Sequence, residues 1–418
     1  MNQPDVLIVG AGMAGLTLAC ALADADLQIL VIDPHSPDAP EQWPNTFDPR
    51  VSALTHASEN ILRRLGVWDA MTRLRVAAFT AMDVWDANGT GNIQFGAAES
   101  GVTHLGHLVE NRVTTHCLFI RMAQHRNVTF RPLALARILE NEAGDGAVWK
   151  VTLSDGTEVT PKLLIGADGA QSRVRDQLGF RCRTWAYGQS AIVTTVTTEQ
   201  PHGDTARQIF HDTGPLAFLP LRQSTASKQS PTSSIVWSLT TEDAQRIMAL
   251  DEAAFCTELG AAFEHRLGKV IATDQRYCFP LTQNHAVDYV LPGVALIGDA
   301  AHTIHPLAGQ GINLGFLDAA VLAEEILAAH ANGLPIEDFT VLRRYQRRRK
   351  ANNLLMMSVM EGFKRLFGTG IPPLQVARNL GMAFFNRHTL IKQQILQRAM
   401  GLEGDLPALA QPGLIADF

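Results

Sequence analysis

Cysteine is scarce in this 418-residue sequence and never clustered. Cys20, Cys117, Cys182, Cys256 and Cys278 are odd in number and form no C-x-x-C pair. That pattern argues against a zinc ribbon or a disulfide framework and predicts reduced thiols in a cytoplasmic protein. An excess of positive charge is also missing: the formal net charge is −6, which speaks against general nucleic-acid binding. The apolar run that could pass for a signal peptide or a span is VLIVGAGMAGLTLACALA, residues 6–23. The MNQPD before it has no Lys or Arg, and three spaced glycines would weaken a spanning helix, so secretion and membrane spanning are not expected. There is no internal repeat and no Ser-His-Asp signature.

Apolar residues make up 46% and charged residues 18% of the chain, enough to bury the cores of two packed domains or one large α/β enzyme. DVLIVGAGMAGLTLACALADADLQILVID reads as strand, glycine turn, helix, strand. Gly10, Gly12 and Gly15 fall in the turn and first helical turn, and Asp33 ends the second apolar run. The spacing predicts a tight turn, close backbone approach to a pyrophosphate, close helix–strand packing, and a carboxylate for ribose hydroxyls. KLLIGADGAQSRVR (162–175) and GVALIGDAAHTIHP (293–306) are two further strands, each ending in Gly-x-Asp or Gly-Asp before a helix-like stretch.

Between these segments lies β-rich material. Residues 82–95 and 151–159 read as hairpins turning on Asn-Gly and Asp-Gly, and 214–221 and 233–239 read as strands. The polar run RQSTASKQSPTSS between the latter two reads as an exposed, mobile loop. From about residue 316 the chain reads as helical, broken by GTGIPP at 368–373. With one G-x-G-x-x-G, one bound dinucleotide is expected. No His or Tyr motif supplies acid–base chemistry beside a hydride site, so a flavin, which carries its own redox chemistry, fits better than a nicotinamide alone.

GAGMAG…VID, GADGAQSRVR and GDAAHTIHPLAGQGINLGFLD together resemble the single-component FAD aromatic hydroxylases of the para-hydroxybenzoate hydroxylase superfamily. HPLAGQGINLGFLDAA is similar to the signature of the ubiquinone-biosynthesis hydroxylases, as are DPRVSALTHAS, LGVWD, LGHLVEN and FPLT. MDVWD, FHDTGPLAFLPL, SIVWSL and LRRYQRRRK look most like the branch that hydroxylates 2-polyprenylphenol at C5 (VisC-like). The resemblance implies an α/β fold: a discontinuous Rossmann-like FAD-binding domain (1–75, 100–180 and 276–330), an inserted β-rich substrate domain (76–99 and 181–275) and a C-terminal helical region (331–418). It implies a monooxygenase with non-covalent FAD that consumes NAD(P)H and O2 and hydroxylates a polyprenylated phenol through a flavin C4a-hydroperoxide. Alternatives are the same chemistry at C1 or C6, or a non-catalytic flavin-binding subunit of the biosynthetic assembly. A halogenase on this fold typically shows Trp-x-Trp-x-Ile-Pro, which is absent here.

Carried over by position, Gly10, Gly12 and Gly15 would sit under the FAD pyrophosphate, Asp33 at the adenosine ribose and Arg50 at the pyrophosphate. Arg112 resembles a flavin-proximal position. Asp168 and Gly169 resemble a motif linked to FAD and NAD(P)H, and Asp299 would meet the ribityl chain. Pro306, Gly309, Gln310, Gly311 and Asn313 would run beside the isoalloxazine. Asp168 and Asp299 could equally be helix N-caps. Tyr187 and His211 are candidates for facing substrate, with an ordinary structural role as the rival reading; Trp237 reads as packing. His302 and His305 lack a third ligand and Pro306 would end a helix through them, so no metal site is expected. The run 342–350, six cations in nine residues, is either a solvated face pairing with acids elsewhere or a contact for anionic membrane or an acidic partner.

Overall fold

The computed structural model describes residues 3–89, 91–141, 148–223, 230–303, 311–367, 397 and 400–412. Short apolar runs build the central sheet. Val6–Val9, Ile29–Ile32 and Leu163–Gly166 are buried at every position, as parallel strands covered on both faces must be. The strand order is Val290–Leu291, Val294–Leu296, Leu163–Gly166, Val6–Val9, Ile29–Ile32, Val128–Arg131, and only the Val290–Leu291 edge is antiparallel. Val6–Val9 thus lies between its sequence neighbour and a strand more than 150 positions away. The connections diverge there and leave a crevice beyond the carboxyl ends of these two strands.

Helices Met13–Leu22 and Gly311–Ala331 pack against each other over this crevice. The Leu/Ala stripe expected to be core at 314–328 is largely buried, with Phe316, Ala320 and Leu322 fully enclosed. The expected hairpin at 151–159 forms from Val148–Leu153 and Glu158–Val159, turning through Gly156 at φ +84°.

The β-rich part is a nine-stranded sheet in the order His302–Thr303, Tyr277–Ala286, Cys182–Thr198, Thr232–Thr240, Gly214–Pro220, Thr205–His211, Ala81–Asp86, Asn92–Gly96, with Val270–Thr273 also paired to Cys182–Thr198. Helices Thr241–Met248 and Glu252–Ala262 cover one face, burying Ile209, Phe218, Ile235 and Trp237. On the opposite face Ala206, Ala217 and Leu219 meet Ala53, Ala77 and Leu108 from a small sheet of Val51–Leu54, Gly106–Glu110 and Val76–Phe79. Burial on both faces explains why SSIVWSL carries no charged residue.

Two boundaries move. Tyr277–Ala286 was expected in the FAD-binding part, yet it pairs along Cys182–Thr198 from Cys182↔Ala286 to Val193↔Tyr277 and belongs to the nine-stranded sheet. In the stretch after Gly298-Asp299, where a helix was expected, the described His302–Thr303 is a strand that adds to the edge of that sheet, opposite His285 and Asn284. In both cases a neighbouring strand edge offers the backbone partners that local sequence cannot reveal. The chain that leaves the central sheet after Val294–Leu296 is therefore hydrogen-bonded directly to the nine-stranded sheet. Residues 224–229 of the expected loop and the break at 368–373 lie outside the described residues. No described helix is long and apolar enough to cross a membrane.

Candidate active site

The crevice is lined by glycines with different duties. Gly10 has φ +111°, and a Cβ there would lie 2.3 Å from the Ala167 carbonyl oxygen. A Cβ on Gly15 would lie 2.1 Å from the Gly10 carbonyl oxygen, so these two are demanded by the turn itself. Gly12 is different, since a Cβ there meets nothing within 4 Å. Gly12 is also the N-cap of Met13–Leu22, with no side-chain cap and no acid in the first turn. Its helix therefore presents unpaired backbone N–H groups to open space, the arrangement that takes a phosphate.

Asp33 is already engaged. Its Oδ2 accepts from the Ala11 N–H and its Oδ1 from the His35 N–H, both at 2.9 Å. The carboxylate thereby ties the end of the second strand to the glycine turn, while its half-open side leaves room for a ribose hydroxyl. The N-cap of helix Arg173–Gln177 is Ser172, not Asp168, but Asp168 supports the helix start: Oδ2 accepts from the N–H groups of Arg173 at 2.7 Å and Val174 at 3.2 Å, and Oδ1 from the Ser172 hydroxyl. Gly169 follows at φ +80° with open space where a Cβ would stand.

Asp299 sits in a one-turn 3-10 helix, Gly298–Ala300, after the strand Val294–Leu296. Its side chain is exposed to the cleft, but the surrounding protein pushes its carboxyl above the usual range, while the charges of His302 and Arg50 pull it back. Arg50 is held by its backbone, which donates to Asp48 Oδ1 at 2.8 Å and accepts from Asn111 N–H at 2.8 Å. Its guanidinium lies exposed, 5.9 Å from the Phe279 ring centroid. Among the described residues neither side chain has a hydrogen-bond or ion-pair partner, and the two lie near enough to interact electrostatically.

Arg112 is placed otherwise. Its guanidinium donates to Glu110 Oε2 at 2.8 Å and to the Thr46 carbonyl at 2.7 Å, over the Trp43 ring. Glu110 also pairs with Arg75 and accepts from the Asp48 N–H. Arg112 therefore braces the segment that carries Arg50. Asn313, 5% exposed, is a staple: its amide donates to Ala53 O at 2.8 Å, and its oxygen accepts from Thr55 N–H at 3.0 Å and the Ser58 hydroxyl at 2.7 Å. Gly311 opens the same helix. His305, Pro306, Gly309 and Gln310 lie outside the described residues.

A buried polar network beneath the Asp299 turn was not anticipated from sequence. Asp318 is fully enclosed and accepts from the Gly298 N–H, His302 Nε2, Arg349 Nε and Asn353 Nδ2. Burial alone would raise its carboxyl, but the His302 and Arg349 charges and their hydrogen bonds hold it well below the usual range. His285 joins through the Tyr289 hydroxyl at 3.0 Å. The one sequence signal was an acid inside an apolar helical stripe.

Of the substrate candidates, Tyr187 donates to Gln283 Oε1 on the strand that borders His302–Thr303. His211 shares a strand face with Ile209, which packs under the helices, and its Nε2 meets the Ala262 carbonyl at 2.9 Å. The structure does not bring His211 to the face that meets the FAD-binding part. That face instead borders a small, part-open and mostly apolar pocket of about 30 Å³ between Ala53, Leu108, Phe79, Met82, Ala217 and Leu219.

Residues 3–357 match the FAD binding domain family. The 3-demethoxyubiquinol 3-hydroxylase of Escherichia coli K12 is 38% identical over 403 residues, which is 96% of this chain and 100% of that protein. Ubiquinone hydroxylase UbiL of Rhodospirillum rubrum is 36% identical over 397 residues, 95% of this chain and 89% of that one. The solved structure of p-nitrophenol 4-monooxygenase PnpA from Pseudomonas putida DLL-E4 has a TM-score of 0.75 at 18% identity, covering 96% of this chain and 98% of that one, and so has the same fold. Glycine cradle, uncapped helix and flanking charges all fit FAD. The chain belongs to the ubiquinone-biosynthesis hydroxylases, FAD-dependent monooxygenases of the para-hydroxybenzoate hydroxylase fold.

Proposed function

We propose that this protein hydroxylates the ring of a polyprenylated phenol. The observation that carries the reading is the similarity to 3-demethoxyubiquinol 3-hydroxylase over 96% of this chain, and the small apolar pocket between the nine-stranded sheet and the Val51–Leu54 sheet, which Ala217 and Leu219 of GPLAFLPL help to line, supports it. A prenylated ring is an apolar body with a few ring oxygens, and such a ligand needs an apolar site with few polar groups. When bound, FAD supplies the chemistry that activates O2. The chain's tasks are to hold and orient. Gly12 and the first N–H groups of Met13–Leu22 would meet the pyrophosphate with Arg50, Asp33 the adenosine ribose, and Asp299 the ribityl chain. The substrate's own oxygen activates the ring carbon, so no protein nucleophile is needed; excluding water and fixing the ring are the protein's contribution.

The likeness of MDVWD, SIVWSL and their neighbours supports C5 of 2-polyprenylphenol as the position. The name of the E. coli relative, which places its reaction on 3-demethoxyubiquinol, supports another position within the family. Deleting the gene and identifying the accumulated precursor by mass spectrometry separates them: a 2-polyprenylphenol supports C5, and a demethoxy intermediate supports the later step. Normal quinone levels, with no second hydroxylase in the strain, contradict both. Contact with an anionic membrane or with a biosynthetic complex would rest on Arg343 and Arg347, since Arg344, Arg348, Arg349 and Lys350 are paired internally.

A further inference from the structure

One polar side chain in the apolar cavity has nothing to do within the protein. Gln208 is 6% exposed and lines the cavity. Its cross-strand partners are Ala217 and Val84, and strand alternation places it on the face of Ala206, opposite the face that Ile209 turns to the helices. Among the described residues its side-chain amide has no hydrogen-bond partner. Arg207, the other polar residue at the cavity, is committed to the carbonyls of His202 at 2.7 Å and Thr205 at 3.4 Å. A primary amide that reaches an apolar pocket and has no protein partner among the described residues is open to a ligand that carries a polar atom.

We infer that Gln208 recognises a ring oxygen of the substrate, its amide donating to or accepting from the phenolic group while the apolar residues of the pocket contact the ring. This rests on the proposed function and sharpens it: Gln208 would distinguish an oxygenated ring from a plain hydrocarbon. Its primary amide can both donate and accept, so it pairs with phenol or phenolate alike. A site built to hydrogen-bond an oxygen rejects the analogue lacking it, because the amide is then left buried and unpaired.

The test is calorimetric titration of the FAD-loaded protein with 2-geranylphenol and with geranylbenzene, its counterpart without the hydroxyl. The native protein is expected to prefer the phenol by about tenfold or more. In Gln208→Leu, and in Gln208→Met should the first variant fold poorly, the preference should collapse towards unity with FAD content unchanged. A native protein that prefers the phenol, beside variants that keep the full preference, overturns the role of Gln208 and leaves the proposed function standing. A native protein that binds neither probe overturns the proposed function and this inference with it.

Discussion

Arg349 Nε donates to Asp318 Oδ1 at 2.7 Å, and both side chains are almost wholly shut off from solvent. A residue from the most basic run of the chain thus lies in the core, supporting through Asp318 the Gly298 turn that presents Asp299. Removing one member of a buried pair strands the other charge and costs about 3–5 kcal/mol, whereas replacing both with apolar residues costs far less. Arg349→Met should therefore lower the melting temperature and weaken FAD retention more than the double variant Arg349→Met, Asp318→Leu. Equal losses in thermal melts and FAD fluorescence titrations would contradict this.

Acid should act on the network in two windows. Burial first, and then the positive charges of His302, Lys350 and Arg183, push the His285 imidazole down to about 4. Between its unfolded value of 6.5 and about 4 the unfolded chain binds more protons than the folded one. Stability therefore rises with pH through this window and is lost as pH falls, by on the order of 2–3 kcal/mol from this group. Asp318 is held below the usual carboxylate range, so its contribution disappears only at lower pH. His285→Gln should make the fall in melting temperature between pH 6.5 and 4 shallower and leave the more acidic loss in place.

The glycines separate folding from binding. Gly15→Ala drives a methyl into the Gly10 carbonyl and should lower stability in the FAD-free protein. Gly12→Ala meets no protein atom. It should leave the stability of the FAD-free protein within about 0.5 kcal/mol of native while weakening FAD at least about tenfold, because the methyl would stand in the proposed path of the pyrophosphate. Full FAD affinity in Gly12→Ala would show that the cofactor lies elsewhere.

Charge reversal divides the basic run. Arg348 pairs with Glu324, Glu325 and Asp405, so Arg348→Glu should destabilise the junction of the last helices. Arg347 is exposed, and Arg347→Glu should leave the melting temperature unchanged. Its effect on sedimentation with anionic vesicles then reports membrane contact free of folding effects.

What was legible in the sequence was local. Gly10, Gly12, Gly15 and Asp33 are close enough for one strand–turn–helix unit to fix their geometry, and the hairpins turn on Asp-Gly and Asn-Gly where expected. Asp318 was not legible, because His302 and Arg349 stand 16 and 31 positions away and nothing in a helical stripe tells a buried acid from a solvated one. His211 went unresolved for a similar reason. Whether a strand residue faces helices or the partner sheet is set by register, here visible only through Ile209 and the Ala262 carbonyl. Tyr277–Ala286 joined the other sheet because its partner, Cys182–Thr198, lies nearly a hundred residues upstream.

The most direct measurement is oxygen incorporation. FAD-loaded protein, NAD(P)H and a short-chain 2-polyprenylphenol are incubated under 18O2 in ordinary water, and the products are resolved by mass spectrometry. A ring-hydroxylated product carrying one 18O atom, formed only when all components are present, is the result expected. Consumption of NAD(P)H with no oxygenated phenol, or a product whose new oxygen comes from water, would contradict it.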